Sequence, residues 1–196
     1  KVEDSIGISK NVYNVGPLVL DALLDLNILS EREFEEKTGY NFSKKNLLIT
    51  FHPETLSLDL GISHLKNLLN ILANTNCNIL FTAPNADFGS AKIIDLIKEF
   101  CAKNLKRTLY YPSLGQELYL NAIILFDCVI GNSSSGIIEA PLLNSQVINI
   151  GDRQKGRFRF GKVMEANNID QINKLVNKVL NSAFYEKSSI NDFKKK

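Results

Sequence analysis

A doubly wound α/β fold around a parallel sheet is what this chain of 196 residues predicts, on three observations. Short β-rich apolar runs alternate with longer amphipathic stretches along the chain. Those runs are continuously apolar and do not alternate with polar residues, which suits strands of a parallel sheet covered on both faces. Repeated strand–helix–strand units then imply right-handed crossovers, with helices on both sides of the sheet.

In chain order, strands are expected over 47–51, 79–82, 108–111, 128–130 and 147–150. Between them, residues 62–73 repeat Leu65, Leu68, Leu69 and Leu72 at helical spacing, and residues 90–102 repeat Ile93, Ile94 and Ile97. Further helices are expected over 117–125, 136–143 and 171–183, the last with Ile172, Leu175, Val176 and Val179 on one face. The first 45 residues read differently. A short strand is expected at 12–15 and a helix at 18–29. The capping-box spacing of Ser30-Glu31-Arg32-Glu33 opens a second short helix.

Composition narrows the functional classes. Lys and Arg total 23 against 21 Asp and Glu, and a net charge of +2 supplies no field for nucleic acid or an anionic membrane. No apolar run approaches the roughly 20 residues needed to cross a bilayer, and Lys1, Glu3 and Asp4 precede any apolar run, so no signal peptide is expected. Cys77, Cys101 and Cys128 are sparse, odd in number and without a C-x-x-C, which points to structural thiols in a cytoplasmic protein. The chain begins with lysine instead of methionine, so a fragment of something longer is expected.

The richest segment runs Val129-Ile-Gly-Asn-Ser-Ser-Ser-Gly-Ile-Ile-Glu139. A strand passes into small polar residues, with a helix expected to open at about Ser135. Free N–H groups and partial positive charge at a helix start make a phosphate cradle. Serine hydroxyls add donors, and Gly136 would let a ligand approach the backbone. An ordinary serine N-cap is the plainer alternative. A sheet ordered 3-2-1-4-5 would bring this loop beside the end of the first strand, Phe51-His52-Pro53-Glu54, in the crevice where doubly wound sheets bind ligands. His52 there could donate to a phosphate oxygen, whereas His64, inside a helical pattern, reads as structural. After the fifth strand, Gly151-Asp-Arg-Gln-Lys-Gly-Arg-Phe-Arg159 could hold an anion through its guanidinium groups.

These motifs resemble the hydrolysing UDP-N-acetylglucosamine 2-epimerases. The resemblance rests on Gly131-Asn-Ser-Ser-Ser-Gly-Ile-Ile-Glu-Ala-Pro141 followed by Val147-Ile-Asn-Ile-Gly-Asp-Arg-Gln-Lys-Gly-Arg157. Thr50-Phe-His-Pro-Glu54 and Asn14-Val-Gly-Pro17 match further family elements in the right order. It implies a Rossmann-like C-terminal lobe of a glycosyltransferase-B-type fold. Residues 1–45 would then be the connection from an upstream N-terminal lobe, 46–184 the UDP-binding domain and 185–196 a C-terminal helix or tail. The implied reaction removes the C2 proton, expels UDP and adds water to the glycal, giving N-acetylmannosamine or a related 2-epimeric sugar for sialic-acid-type synthesis. No metal or other cofactor is implied. Ser133, Ser134, Ser135 and Gly136 would hold the diphosphate, Glu139 the ribose hydroxyls, and Arg153 the diphosphate or sugar. His52 would assist phosphate departure, and residues 111–117 would lie by the uracil. The family's acid–base carboxylates belong to the N-terminal lobe and match nothing here, so the 196 residues alone are expected to be inactive.

Two rivals keep the same residues. A glycosyltransferase of this architecture would await an acceptor sugar, and a non-catalytic module would sense UDP or a UDP-sugar and do nothing more. A homo-oligomer is compatible with the sequence, which leaves oligomeric state and the identity of the 2-acetamido sugar open.

Overall fold

The computed structural model describes residues 7, 12–13, 19–54 and 58–182. Six parallel strands form one sheet: β1 (Asn46–Thr50), β2 (Asn78–Thr82), β3 (Thr108–Tyr111), β4 (Cys128–Gly131), β5 (Gln146–Ile150) and β6 (Met164–Ala166). Their order is β3-β2-β1-β4-β5-β6, so the winding reverses between β1 and β4. The sequence-based order holds for five strands, with β6 added at the edge. Three residues with an exposed Glu165 in the middle carry no apolar run, which is why β6 is invisible to patterning.

Helices α1 (Val19–Leu24), α2 (Glu31–Thr38), α3 (Leu58–Ala73), α4 (Ser90–Lys103), α5 (Gly115–Leu125), α6 (Glu139–Leu142) and α7 (Ile169–Asn181) cover the sheet. Strands β1 to β5 feed both cores, because successive side chains point to opposite faces. Leu47, Ile49 and Phe51 pack with Leu65, Leu68 and Leu72 of α3, Ile93 and Ile97 of α4, and Val176 of α7. Leu48 joins Phe34 of α2, Ile123 of α5, Phe126 and Val129 on the other face. Five consecutive buried residues in β1 follow from this two-sided cover.

Three expectations from sequence need correction or fall away. Residues 12 and 13 carry no strand, and the remainder of that expected strand, like Asn14–Pro17 and the tail at 185–196, lies outside the described residues. The helix expected at 18–29 ends at Leu24. Its continuation is captured by Asn121 of α5, whose Nδ2 donates to the Asn27 carbonyl at 2.9 Å and whose Oδ1 accepts from Leu29 N–H at 2.8 Å. The helix expected to open at Ser135 and run to 143 is broken. A single 3₁₀ turn spans Ser134–Gly136, and four residues of α6 follow after an interruption at Ile137 and Ile138. Pro141 has no N–H to give the Ile137 carbonyl, which instead accepts from Phe160 N–H at 3.0 Å. Capping at Ser30 is as expected: its hydroxyl accepts from Glu33 N–H while Glu33 bonds back.

The close approach of β1 and β4 is legible at Gly131, which has φ +146°. A Cβ there would overlap the Thr50 carbonyl oxygen. Gly131→Ala should therefore destabilise the fold by about 4 kcal/mol or more, in the tail of single-substitution effects. Urea denaturation checks this; a loss below about 1 kcal/mol would mean the two strand ends can separate freely.

Candidate functional site

The ends of β1, β2 and β4 line an open cavity of about 270 Å³, walled also by residues 112–116 that lead from β3 into α5. His52, Ser133 and Ser135 line it, together with Thr50, Thr82, Asn85 and Tyr119. The expected convergence of the first strand's histidine and the serine loop is present. The segment 111–117 also meets it, through Pro112 to Gln116.

Asn132 builds the junction. Its Oδ1 accepts from His52 N–H at 2.7 Å, and its Nδ2 donates to the His52 carbonyl at 2.9 Å. The two turns are thus paired as if the sheet ladder ran one step further. The Asn132 carbonyl accepts from Gln154 Nε2 at 2.7 Å and from Arg153 Nη1 at 3.2 Å, which keys the turn after β5 to the same point. Asn132 is fully buried, and its polar groups find partners inside the junction.

His52 is held as a neutral ring. Asn85 N–H donates to its Nδ1 at 3.1 Å, so the ring's proton sits on Nε2. Burial, and then the positive charge of Arg153, push its pKa from the ordinary 6.5 down to about 4, against a smaller opposing pull from Asp87. At neutral pH it is a hydrogen-bond donor of fixed tautomer, not a cation.

The serine loop contributes hydroxyls in place of a helix start. Ser133 caps the 3₁₀ turn, accepting from Ser135 N–H and from Ser135 Oγ at 2.9 Å. Ser135 Oγ lies 2.7 Å from the Tyr119 hydroxyl, which lies 3.2 Å from Thr50 Oγ1, itself 2.6 Å from Thr82 Oγ1. Burial raises the Tyr119 pKa, so its hydroxyl stays protonated.

Not every expected residue reaches the cavity. Ser134, Gly136, Glu139 and Arg153 do not line it. A Cβ at Gly136 would touch Val147 of β5, so the space beside this glycine is filled by the sheet. Glu139 opens α6 with Oε2 buried and without a partner. Of the four cations after β5, Lys155 pairs with Asp152 at 3.8 Å and Arg159 with Glu165, while Arg153 turns toward Asn132. His64 is structural, as expected: its Nε2 donates to the Asn167 carbonyl at 3.1 Å. Among the described residues no three His, Cys, Asp or Glu side chains converge to hold a metal ion, and no helix is long and apolar enough to cross a membrane.

Sequence reasoning missed Thr50, Thr82, Tyr119 and Asn132. Asn132 stood inside the quoted motif, and two threonines ending paired strands were a readable signal. Tyr119 offered none, being one apolar residue among many in α5.

A family profile described as UDP-N-acetylglucosamine 2-epimerase matches residues 5–195. The chain belongs to that family. Its relatives include the GDP/UDP-N,N'-diacetylbacillosamine 2-epimerase (hydrolyzing) of Campylobacter jejuni, 36% identical over 165 residues, which cover 83% of this chain and 43% of that protein. The polysialic acid biosynthesis protein P7 of Escherichia coli is 40% identical over 159 residues, covering 79% of this chain and 39% of its own. An S. aureus MnaA–UDP co-structure matches with a TM-score of 0.53 at 15% identity, over 83% of this chain and 42% of that one. The chain thus spans about two fifths of the length of these relatives. The likeness in fold confirms the Rossmann-like, glycosyltransferase-B-type lobe expected of an epimerase of this family.

A depressed histidine pKa has a signed consequence. Between about pH 6.5 and 4 the unfolded chain binds a proton at His52 that the folded chain does not, so this residue lowers stability as pH falls through that window. His52→Asn keeps an acceptor for Asn85 N–H but cannot titrate. Denaturation at pH 7.5 and 5 should show the wild type losing stability relative to the variant; a constant difference would mean that the folded ring is protonated.

Proposed function

We propose that this chain is the nucleotide-binding lobe of a hydrolysing 2-epimerase. It would act on UDP-N-acetylglucosamine or a related UDP-2-acetamido sugar, releasing UDP and a 2-epimeric sugar such as N-acetylmannosamine for sialic-acid-type synthesis. The observation that carries the reading is the cavity where β1 meets β4, with the neutral His52 ring and the hydroxyls of Ser133 and Ser135 in its wall. Fixed donors of this kind stabilise the charge that grows on a departing diphosphate without needing to reorganise. In this reading His52 Nε2–H hydrogen-bonds a phosphate oxygen as the C1–O bond breaks, and Ser133, Ser134, Ser135 and Gly136 hold the diphosphate. Arg153 offsets its charge from beside Asn132. Glu139 accepts from the ribose hydroxyls, a role its unpartnered buried Oε2 supports. Residues 112–116 flank the uracil. No metal or organic cofactor enters the chemistry. The C2 base would come from an N-terminal lobe, since Glu54, the carboxylate closest in sequence to His52, is turned to His64 at 3.9 Å beneath the β5 turn. The reading places the enzyme in the cytoplasm, supported by three buried, unpaired cysteines.

The decisive experiment supplies the full-length enzyme with UDP-N-acetylglucosamine or its 2,4-diacetamido counterpart and no acceptor. UDP and the 2-epimeric sugar should appear together; binding without turnover, or turnover only with an added sugar acceptor, would overturn the proposal. His52→Ala should lower kcat more than it weakens UDP binding. Glu139→Ala should weaken UDP by about 1–3 kcal/mol while leaving pyrophosphate unchanged, as read by calorimetry. Equal losses for both ligands would remove Glu139 from the ribose. Residues 1–196 alone should bind UDP yet release none from the sugar nucleotide, because among the described residues nothing is placed to take a C2 proton.

A further inference from the structure

The five hydroxyls in the cavity wall run in one direction. A hydroxyl has one proton to give and two lone pairs to receive with. Ser135 gives its proton to Ser133, so across the 2.7 Å contact it must receive from Tyr119. Tyr119, its proton committed, must receive from Thr50 at 3.2 Å, and Thr50 from Thr82 at 2.6 Å. At the far end Ser133 receives both the Ser135 hydroxyl and the Ser135 N–H, which fills its lone pairs. The one bond left to Ser133 is to donate. Serial hydrogen bonds polarise one another, so the last donor is the strongest.

We propose that Tyr119 is a positioning residue that, through Ser135, keeps Ser133 a donor aimed at an acceptor oxygen, here a phosphate oxygen of the nucleoside diphosphate. This rests on the nucleotide reading above and adds to it a residue outside the serine motif. His52 Nε2–H is a second donor in the same wall. At the opposite end Thr82 retains lone pairs, so the wall is polarised, donating at Ser133 and accepting at Thr82.

The test uses Tyr119→Phe, Ser133→Ala and the double variant of the full-length enzyme, with UDP, uridine and pyrophosphate as calorimetric probes. Tyr119→Phe should weaken UDP and pyrophosphate by about tenfold, the scale of one bond to a charged group, and leave uridine unchanged. The double variant should bind UDP no more weakly than Ser133→Ala, since Tyr119 acts only through Ser133. Multiplying effects, or equal losses for UDP and uridine, would overturn the proposal and make Tyr119 a wall contact. If UDP and uridine fail to bind wild type while pyrophosphate binds and weakens in Tyr119→Phe, the nucleotide reading falls and the hydroxyl chain stands. In the ligand-free wild type, the Tyr119 hydroxyl proton should show nuclear Overhauser contacts to Ser135. A proton directed at Thr50 would reverse the chain and refute the proposal whatever binds.

Discussion

Two hydrogen bonds between the side chain of Asn132 and the backbone of His52 hold the site in register, and the rest of it depends on them. At the winding reversal β1 and β4 are neighbours, and their backbone ladder ends with Asn132 N–H donating to the Thr50 carbonyl. Backbone pairing cannot continue past that point, yet the polar groups there are buried and need partners. One primary amide supplies a donor and an acceptor in the spacing a next ladder step would have. The Asn132 backbone carbonyl then receives Arg153 and Gln154, so three turns from distant parts of the chain share one reference point. Gly131 is the geometric condition for this, since a side chain there would drive the Thr50 carbonyl away.

A second layer supports the first from below. Gly151, at φ +77°, lies against Glu54, and a Cβ in its place would overlap Glu54 Oε1. Glu54 Oε1 and His64 Nδ1 are both buried, 3.9 Å apart, and neither has a hydrogen-bond partner. His64 donates through Nε2 to the Asn167 carbonyl, which leaves its Nδ1 on the side of the carboxyl group. Burial raises the Glu54 pKa, with His64 opposing. The β5 turn that carries Arg153 therefore rests on this buried pair.

The sheet was legible because continuous apolar runs between amphipathic stretches have few other solutions, and five strands with their order follow from that. What escaped was decided by competition that patterning does not encode. The helix expected at 18–29 ends at Leu24, and Asn121, far away in sequence, takes the Asn27 carbonyl and the Leu29 N–H. The serine loop carried its own warning in Pro141, but only the fold reveals that the freed Ile137 carbonyl is taken by Phe160 N–H. His52 was legible through topology alone. Tyr119 was not, because its role comes from a hydroxyl at the end of an otherwise apolar wall.

Register is what couples the core to the chemistry. Thr50 and Thr82 are paired positions of β1 and β2, and Thr50 pairs with Gly131 of β4. On β1 the period of two sends Leu47, Ile49 and Phe51 to the α3 and α4 side and Leu48 and Thr50 to the α5 side, where Tyr119 waits. A slip of one residue would exchange the faces, exposing a phenyl ring to the α5 side and withdrawing the hydroxyl that feeds Tyr119. The hydrophobic effect that seats Phe51 and Phe81 in one core thus also orients Thr50 and Thr82 into the other. Selection for a well-packed sheet and selection for a polarised cavity wall act on the same alignment of strands. That explains how a site drawn from five separated segments can be held without a metal or a disulfide among the described residues: each segment is placed by a strand end whose register the core has already fixed.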